Sequence, residues 1–217
     1  MLALGVVPVA ASKLTFGGND GGSSDWFDAE ISELGAQAPV RYDDADGAPI
    51  ADIAAARPDL IMATTSGITK EEYEKLSKIA PVVVFPSGPY VTPWQTGLAM
   101  AGKALGRSDL AEQLTAETEK LIENAAAQYP QLKGESMLVT YLDAADLSTI
   151  GVTNPTEPRV ALWDDFGMAT APIQDELTEP GQFSASVSAE RSSELKSDVL
   201  LAGGRAPTTW RASPSTI

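Results

Sequence analysis

One stretch constrains this 217-residue chain more than any other: residues 108–128 carry its longest helical pattern. Leu110, Leu114, Thr118, Leu121 and Ala125 recur at helical spacing with Ile122 beside them, while Glu112, Glu119, Lys120 and Glu123 lie mostly elsewhere. Ser108 fits an N-cap after Gly106-Arg107, and Tyr129-Pro130 followed by Gly134 supply stop signals. At 1.5 Å per residue such a helix is about 30 Å long, enough to run along two small domains. A long core helix inside a single α/β domain is the alternative, and the flanking sequence decides between the two.

Both flanks share a grammar. Before the helix, residues 1–9 read as a helix tail, a turn at Gly5 and a short strand through Val6, Val7 and Val9. Residues 16–47 read as a Gly/Asp/Ser-rich loop followed by a short helix carrying Trp26, Phe27, Ile31 and Leu34, with Trp26 in the core. A helix at 50–56 leads through Arg57-Pro58-Asp59 into the apolar strand 60–63. Thr69 and Glu72 form a capping-box pattern opening a helix to Ile79, and Val82 to Phe85 reads as the next strand. A strand, a helix and a strand of these lengths pair in parallel. After a proline-broken crossing at 86–93, residues 94–105 read as the helix that leads into the long one.

Beyond it come a strand at 137–142, a short extended piece at 148–150, and a helix at 159–166 with Trp163 in the core, ending at Gly167. A loop holding Pro172 and Pro180, a strand at 183–187, a helix from Ser188 to about Leu195 and a strand at 199–202 complete the pattern. Arg57-Pro58-Asp59-Leu60-Ile61-Met62-Ala63 matches Lys196-Ser197-Asp198-Val199-Leu200-Leu201-Ala202, and Leu4-Gly5-Val6 matches Phe166-Gly167-Met168, in the same order. The sequence therefore predicts two α/β, Rossmann-like lobes with parallel-rich sheets: residues 1–92, a connecting helical segment 93–130 and residues 131–217. The same alignment implies that the first lobe lacks its first strand and that the second lacks its end, where residues 203–217 are a polar tail.

Composition narrows the chemistry. There is no Cys and no His, so zinc fingers, thiolate clusters, Cys nucleophiles and Ser-His-Asp triads are excluded. Thirty acidic residues against 15 basic ones give a net charge of −15 with no basic run, which makes nucleic acid a poor partner. The Gly17–Gly22 stretch fits neither phosphate-loop pattern. The carboxylate pairs Asp143/Asp146 and Asp164/Asp165 sit at turns or on a helix, where caps and solvated charges account for them without a small α/β enzyme. No membrane span and no signal segment is visible in this stretch.

Six pieces in order carry a resemblance: Ala3-Leu4-Gly5-Val6-x-Pro8-Val9, Arg57-Pro58-Asp59-Leu60-Ile61, the run from Thr69 to Pro81, Pro93-Trp94-Gln95, Gly102-Lys103-Ala104-Leu105-Gly106-Arg107 and Ser186-Val187-Ser188-Ala189-Glu190-Arg191. Together they resemble the substrate-binding proteins of iron-siderophore ABC importers, the class III periplasmic-binding type. The resemblance implies two α/β lobes joined by one rigid helix, a ferric siderophore held between them and delivery to a membrane permease. It also implies an extracytoplasmic protein, anchored as a lipoprotein or free in the periplasm, that acts as a monomer. A haem or corrinoid receptor of the same fold, and a non-functional fragment, stay open as alternatives.

A siderophore saturates its iron with its own oxygens, so no protein metal ligand or cofactor is expected. Strand C-terminal ends and their turns face the ligand in such lobes. That nominates Ser66, Gly67, Tyr90, Trp94, Tyr141 and Arg159. Core packing would equally account for Trp94 and Tyr141, and a solvated surface cation for Arg159. With seven Arg and eight Lys spread over an acidic chain, a cradle for a trianionic catecholate is hard to assemble, so a neutral or cationic hydroxamate-type chelate is expected. The resemblance implies one permease-docking carboxylate per lobe. Glu190 occupies one position, though helix-dipole compensation also explains it. The other falls on Ala51 beside Asp52, so either Asp52 substitutes or docking there is weakened.

Overall fold

The apolar stripe at 108–128 folds as one continuous helix, Ser108–Ala126, closed by backbone turns at Gln128 and Tyr129. In this computed structural model, which describes residues 1–15, 17–143, 145–179 and 181–205, the chain divides into two compact units. These are Met1–Glu117 and Thr118–Ile217, and the division falls inside the long helix. The polar tail from residue 206 onward lies outside the described residues.

In the first unit a 3-10 turn, Leu2–Leu4, ends at Gly5 with φ 69°, a conformation that suits glycine. The strand expected at Val6 to Val9 forms later, as β1 (Ala10–Ser12). Pro8 lacks an N–H and its ring fixes φ, so regular pairing starts only beyond it, with the Val40 N–H donating to the Val9 carbonyl. The partner is a strand within the region read as loop and helix: β2 (Val40–Tyr42), parallel to β1. Between them lies helix α1 (Asp25–Glu33), capped by the Ser24 hydroxyl, which accepts from the Phe27 N–H at 3.3 Å. Its buried residue is Ile31. Trp26, five positions earlier and so about 140° around the helix, is 86% exposed instead of in the core.

Helix α2 (Ile50–Ala55) leads to β3 (Ile61–Ala63), and helix α3 (Lys70–Leu76) to β4 (Val82–Val84). β3 and β4 pair in parallel with Ile61 opposite Val82, and the strands of this unit form two separate two-stranded sheets. The capping box forms as expected, with Thr69 Oγ1 accepting from the Glu72 N–H and the Glu72 carboxylate accepting from the Thr69 N–H. Helix α4 (Trp94–Ala104) turns through Gly106 into the long helix, α5. Leu4, Ala101 and Ala111 form the core here, with Met62, Leu98, Leu105, Leu110 and Leu114 packed on it. The Arg107 guanidinium donates to the Leu4 carbonyl and ties the first turn to the corner between α4 and α5.

The second unit is built on a five-stranded sheet. β5 (Ser136–Asp143) has β9 (Val199–Arg205) parallel along one edge, and its other edge is shared by β7 (Ala169–Thr170), parallel, and β6 (Asp146–Thr153), antiparallel. β8 (Ser184–Ser188) lies antiparallel on β6. This sheet is mixed, with two parallel and two antiparallel pairings; counting β1–β2 and β3–β4, four of the six pairings among the described strands are parallel. The short extended piece expected at 148–150 is the middle of a full strand, because the connection from Asp143 to Asp146 is too tight for anything but a hairpin.

Helix α6 (Pro158–Asp165) ends at Gly167, φ 77°, which repeats the role of Gly5. Trp163 is half-buried against Phe166, with ring centroids 5.7 Å apart. The loop expected around Pro172 contains helix α7 (Pro172–Leu177), with its proline in the first turn, where the missing N–H has no helical partner to lose. The helix expected from Ser188 is a 3-10 segment, Ala189–Glu194. Leu138, Val152 and Ala171 form this unit's core, with Ile173, Leu177 and Leu195 against them.

Candidate functional site

The C-terminal end of β3 opens into the turn that holds Ser66 and Gly67. The Ser66 hydroxyl donates to the Ala63 carbonyl at 2.9 Å, so it fastens the turn to its own strand. Gly67 lies under the Tyr90 ring: a Cβ there would sit 2.5 Å from the Tyr90 hydroxyl oxygen and 2.6 Å from its Cε2. Only glycine allows this approach, and Tyr90 itself adopts φ 60°, a conformation side chains rarely take. Tyr90 stays 46% exposed while Trp94, at the start of α4, is half-buried. The Trp94 indole N–H and the hydroxyl of buried Thr92 are enclosed with no hydrogen-bond partner among the described residues. Three of the nominated residues, Gly67, Tyr90 and Ser66, thus share one turn region, and Trp94 follows Tyr90 within four positions.

A second group lies in the other unit. Tyr141 is on β5 opposite Gly151 of β6, where a Cβ would come within 3.4 Å of the Tyr141 Cβ. Arg159 is in the first turn of α6. Its Nε donates to Glu157 Oε1 at 2.8 Å, its backbone N–H to Glu157 Oε2 at 3.1 Å, and its guanidinium carbon stands 5.9 Å from the Phe183 ring centre. The side chain of Glu157 is 7% exposed and that of Arg159 is 68% exposed. A buried carboxylate thus holds an exposed cation.

The structure also has an open hollow of about 260 Å³ that the sequence reading missed, lined by Ser12, Lys13, Ser23, Ser24, Phe27 and Arg41 among others. Arg41 stacks over Phe27 at 4.6 Å and donates to the Ser23 hydroxyl at 2.6 Å and to the Ser12 carbonyl at 3.2 Å. Asn19 braces the neighbouring loop by donating to Asp25 and Asp28, and its bond holds the Asp28 carboxyl below the usual range. The one sequence signal for this hollow was Arg41 within an otherwise acidic stretch. Without β2 the arginine had no strand to place it beside Ser12 and Ser23.

Residues 11–215 match the profile of the periplasmic binding protein family. The chain belongs to that family. Membership sets it among solute-binding proteins rather than enzymes, and implies an extracytoplasmic location. Among solved structures, the iron uptake ABC transporter substrate-binding protein PiaA from Streptococcus pneumoniae is 34% identical, with TM-score 0.79 over 93% of this chain and 67% of that one. PiaA in complex with ferrichrome is 35% identical, with TM-score 0.84 over 93% of this chain and 68% of that one. A periplasmic solute-binding protein from Mycobacterium smegmatis is 27% identical, with TM-score 0.74 over 93% of this chain and 66% of that one. The family member described here thus spans about two thirds of these proteins' length. No curated protein matches it.

The two nominated docking carboxylates are both accessible. Asp52 is exposed in the first turn of α2, with Ala51 exposed beside it. Glu190 is exposed in the first turn of the 3-10 segment, its N–H donating to the Ser188 hydroxyl at 3.4 Å. Among the described residues, no helix is long and apolar enough to cross a membrane and no cluster of three or more metal-ligating side chains occurs.

Proposed function

We propose that this chain binds a ferric siderophore of the neutral hydroxamate type and delivers it, as a monomer, to an ABC permease. The observation that carries the reading is the 35% identity to PiaA in complex with ferrichrome, a hydroxamate chelate, across 93% of the chain. The proposed ligand contacts are Ser66, Gly67, Tyr90, Trp94, Tyr141 and Arg159. Tyrosine and tryptophan faces offer apolar contact area, and the turn amides and the guanidinium offer donors to chelate oxygens. The iron arrives with its coordination complete, so it is cargo and needs no protein ligand.

Charge supports the neutral class. Arg159, the one cation among the proposed contacts, is already paired with Glu157, which leaves no cluster of unpaired cations at these positions to match three negative charges. Glu190 and Asp52 are the proposed permease contacts, meeting cations on the membrane protein, and a lipid anchor is the proposed attachment to the cell envelope. Titration of intrinsic fluorescence with ferrichrome and with a ferric triscatecholate tests the reading. Ferrichrome should quench saturably and at lower concentration; tighter binding of the triscatecholate would overturn the hydroxamate assignment, and no response to either would overturn the function.

A further inference from the structure

Glu157 sits where few carboxylates sit. It is buried, it stands at the N-cap of α6, and it is the only residue whose side chain bonds both the backbone and the head of Arg159 in the described structure. Its surroundings are equally constrained. The carboxamide oxygen of Asn154, itself buried, accepts from both the N–H and the hydroxyl of Thr156 at 2.9 and 2.7 Å. The Glu157 N–H donates to the Asn154 carbonyl at 3.1 Å. Asn154 also fastens the segment that carries Phe183, donating from its backbone to the Phe183 carbonyl at 3.0 Å and from its side chain to the Glu179 carbonyl at 3.0 Å. The turn that carries Glu157 and the segment that carries the ring are held to one another, and Arg159 lies between them.

An exposed arginine ordinarily loses side-chain entropy when it binds a ligand. Here Nε is engaged by Glu157 Oε1, and the guanidinium is planar, so one bond and one ring fix the plane and leave the terminal amino edge for an acceptor. The same contact balances the charge: guanidinium and carboxylate together are neutral. A group presenting aimed N–H donors with no net charge matches an uncharged chelate whose outer surface carries carbonyl oxygens. It gives little to a polyanion, because the nearby carboxylate repels what the guanidinium attracts.

We propose that Glu157 is a positioning residue that aims Arg159 and cancels its charge, so that this unit selects uncharged over anionic ferric chelates. The inference rests on the siderophore reading and adds the element that would set its charge preference. The test is a double-mutant cycle with Glu157→Gln and Arg159→Ala, alone and together, in which ferrichrome and a ferric triscatecholate are titrated and thermal unfolding is followed in parallel.

In the wild type ferrichrome should bind more tightly. Glu157→Gln should weaken ferrichrome several-fold and strengthen the triscatecholate, so that the affinity ratio narrows about tenfold or more. In the Arg159→Ala background the same Glu157→Gln change should leave ferrichrome affinity unaltered and raise that of the triscatecholate only through the lost carboxylate charge, whatever it does to the melting temperature. A purely structural role would lower both affinities alike in both backgrounds. An unchanged ratio, or equal effects of Glu157→Gln with and without Arg159, overturns the inference while the siderophore reading stands. Failure of the folded wild type to bind either chelate overturns both.

Discussion

The Glu72 carboxylate joins two distant pieces of backbone. Its Oε2 accepts from the Thr69 N–H at 2.7 Å within the capping box, and its Oε1 accepts from the Ala48 N–H, 24 residues away, also at 2.7 Å. Gly47 makes room for this, since a Cβ there would lie 2.6 Å from the same Oε1. Replacing Glu72 with Ala leaves both amides without their acceptor. Hydrogen bonds to charged groups contribute about 1.5–3 kcal/mol when shielded, but this carboxylate is at the surface, so the range for a lost cap, about 1–2 kcal/mol, is the better measure. Such a loss should speed hydrogen exchange at the Ala48 and Thr69 amides about fivefold to thirtyfold where local opening governs exchange.

The bonds from Thr69 first, and then Ala48, hold the Glu72 carboxyl below its ordinary value of 4.5. A depressed carboxylate stabilises fully above the ordinary value, and the contribution is lost as pH falls through its lower folded-state value. The gap between wild type and Glu72→Ala should therefore be constant near pH 7 and close on acidification below 4.5. Unchanged exchange at both amides, or a gap that persists in strong acid, would refute the reasoning.

Gly102→Ala would put a Cβ 2.5 Å from the Ala111 Cβ and 3.1 Å from the Arg107 carbonyl, forcing α4 and α5 apart, so a loss of about 1–3 kcal/mol in urea unfolding is expected. Gly67→Ala should displace the Tyr90 ring and weaken ferrichrome binding with little change in stability, read by fluorescence titration beside circular dichroism. Asp198 accepts from the Ser136 hydroxyl at 2.6 Å and from its N–H at 2.8 Å, which hold its carboxyl below the usual range. Its contribution to the β5–β9 edge should thus be lost on acidification, and Asp198→Asn should show less of that acid sensitivity in thermal melts.

Much of the fold was legible where local signals and packing agreed. The stripe on α5, the Thr69–Glu72 box and the two glycines closing helices at Gly5 and Gly167 all appear in place. Legibility failed where a partner far along the chain decided the outcome. β2 is three residues long and gains its identity only from pairing with β1, and β6 read as extended only at 148–150 because its first half is exposed and gives no apolar strand pattern. Trp26 shows the limit of composition, since a large apolar side chain was assigned to the core when the helix turned it to solvent. Within the candidate site, Tyr90, Trp94 and Arg159 could be nominated from strand ends. Glu157 could not, because its link to Arg159 depends on the turn geometry around Asn154 and on burial, neither of which has a spacing signature.

The central claim is that this chain takes a preassembled iron chelate and not the metal or the bare chelator. Calorimetric titration of the purified protein with ferrichrome, iron-free ferrichrome and ferric ion presented by a weak chelator tests it most directly. The account predicts one ferrichrome per chain with a dissociation constant of about 1 µM or tighter, equivalent to about −8 kcal/mol, and at least about tenfold weaker binding of the iron-free form, a margin of about 1.4 kcal/mol. Equal affinity for the two forms, or no heat from ferrichrome with a folded protein, would contradict it.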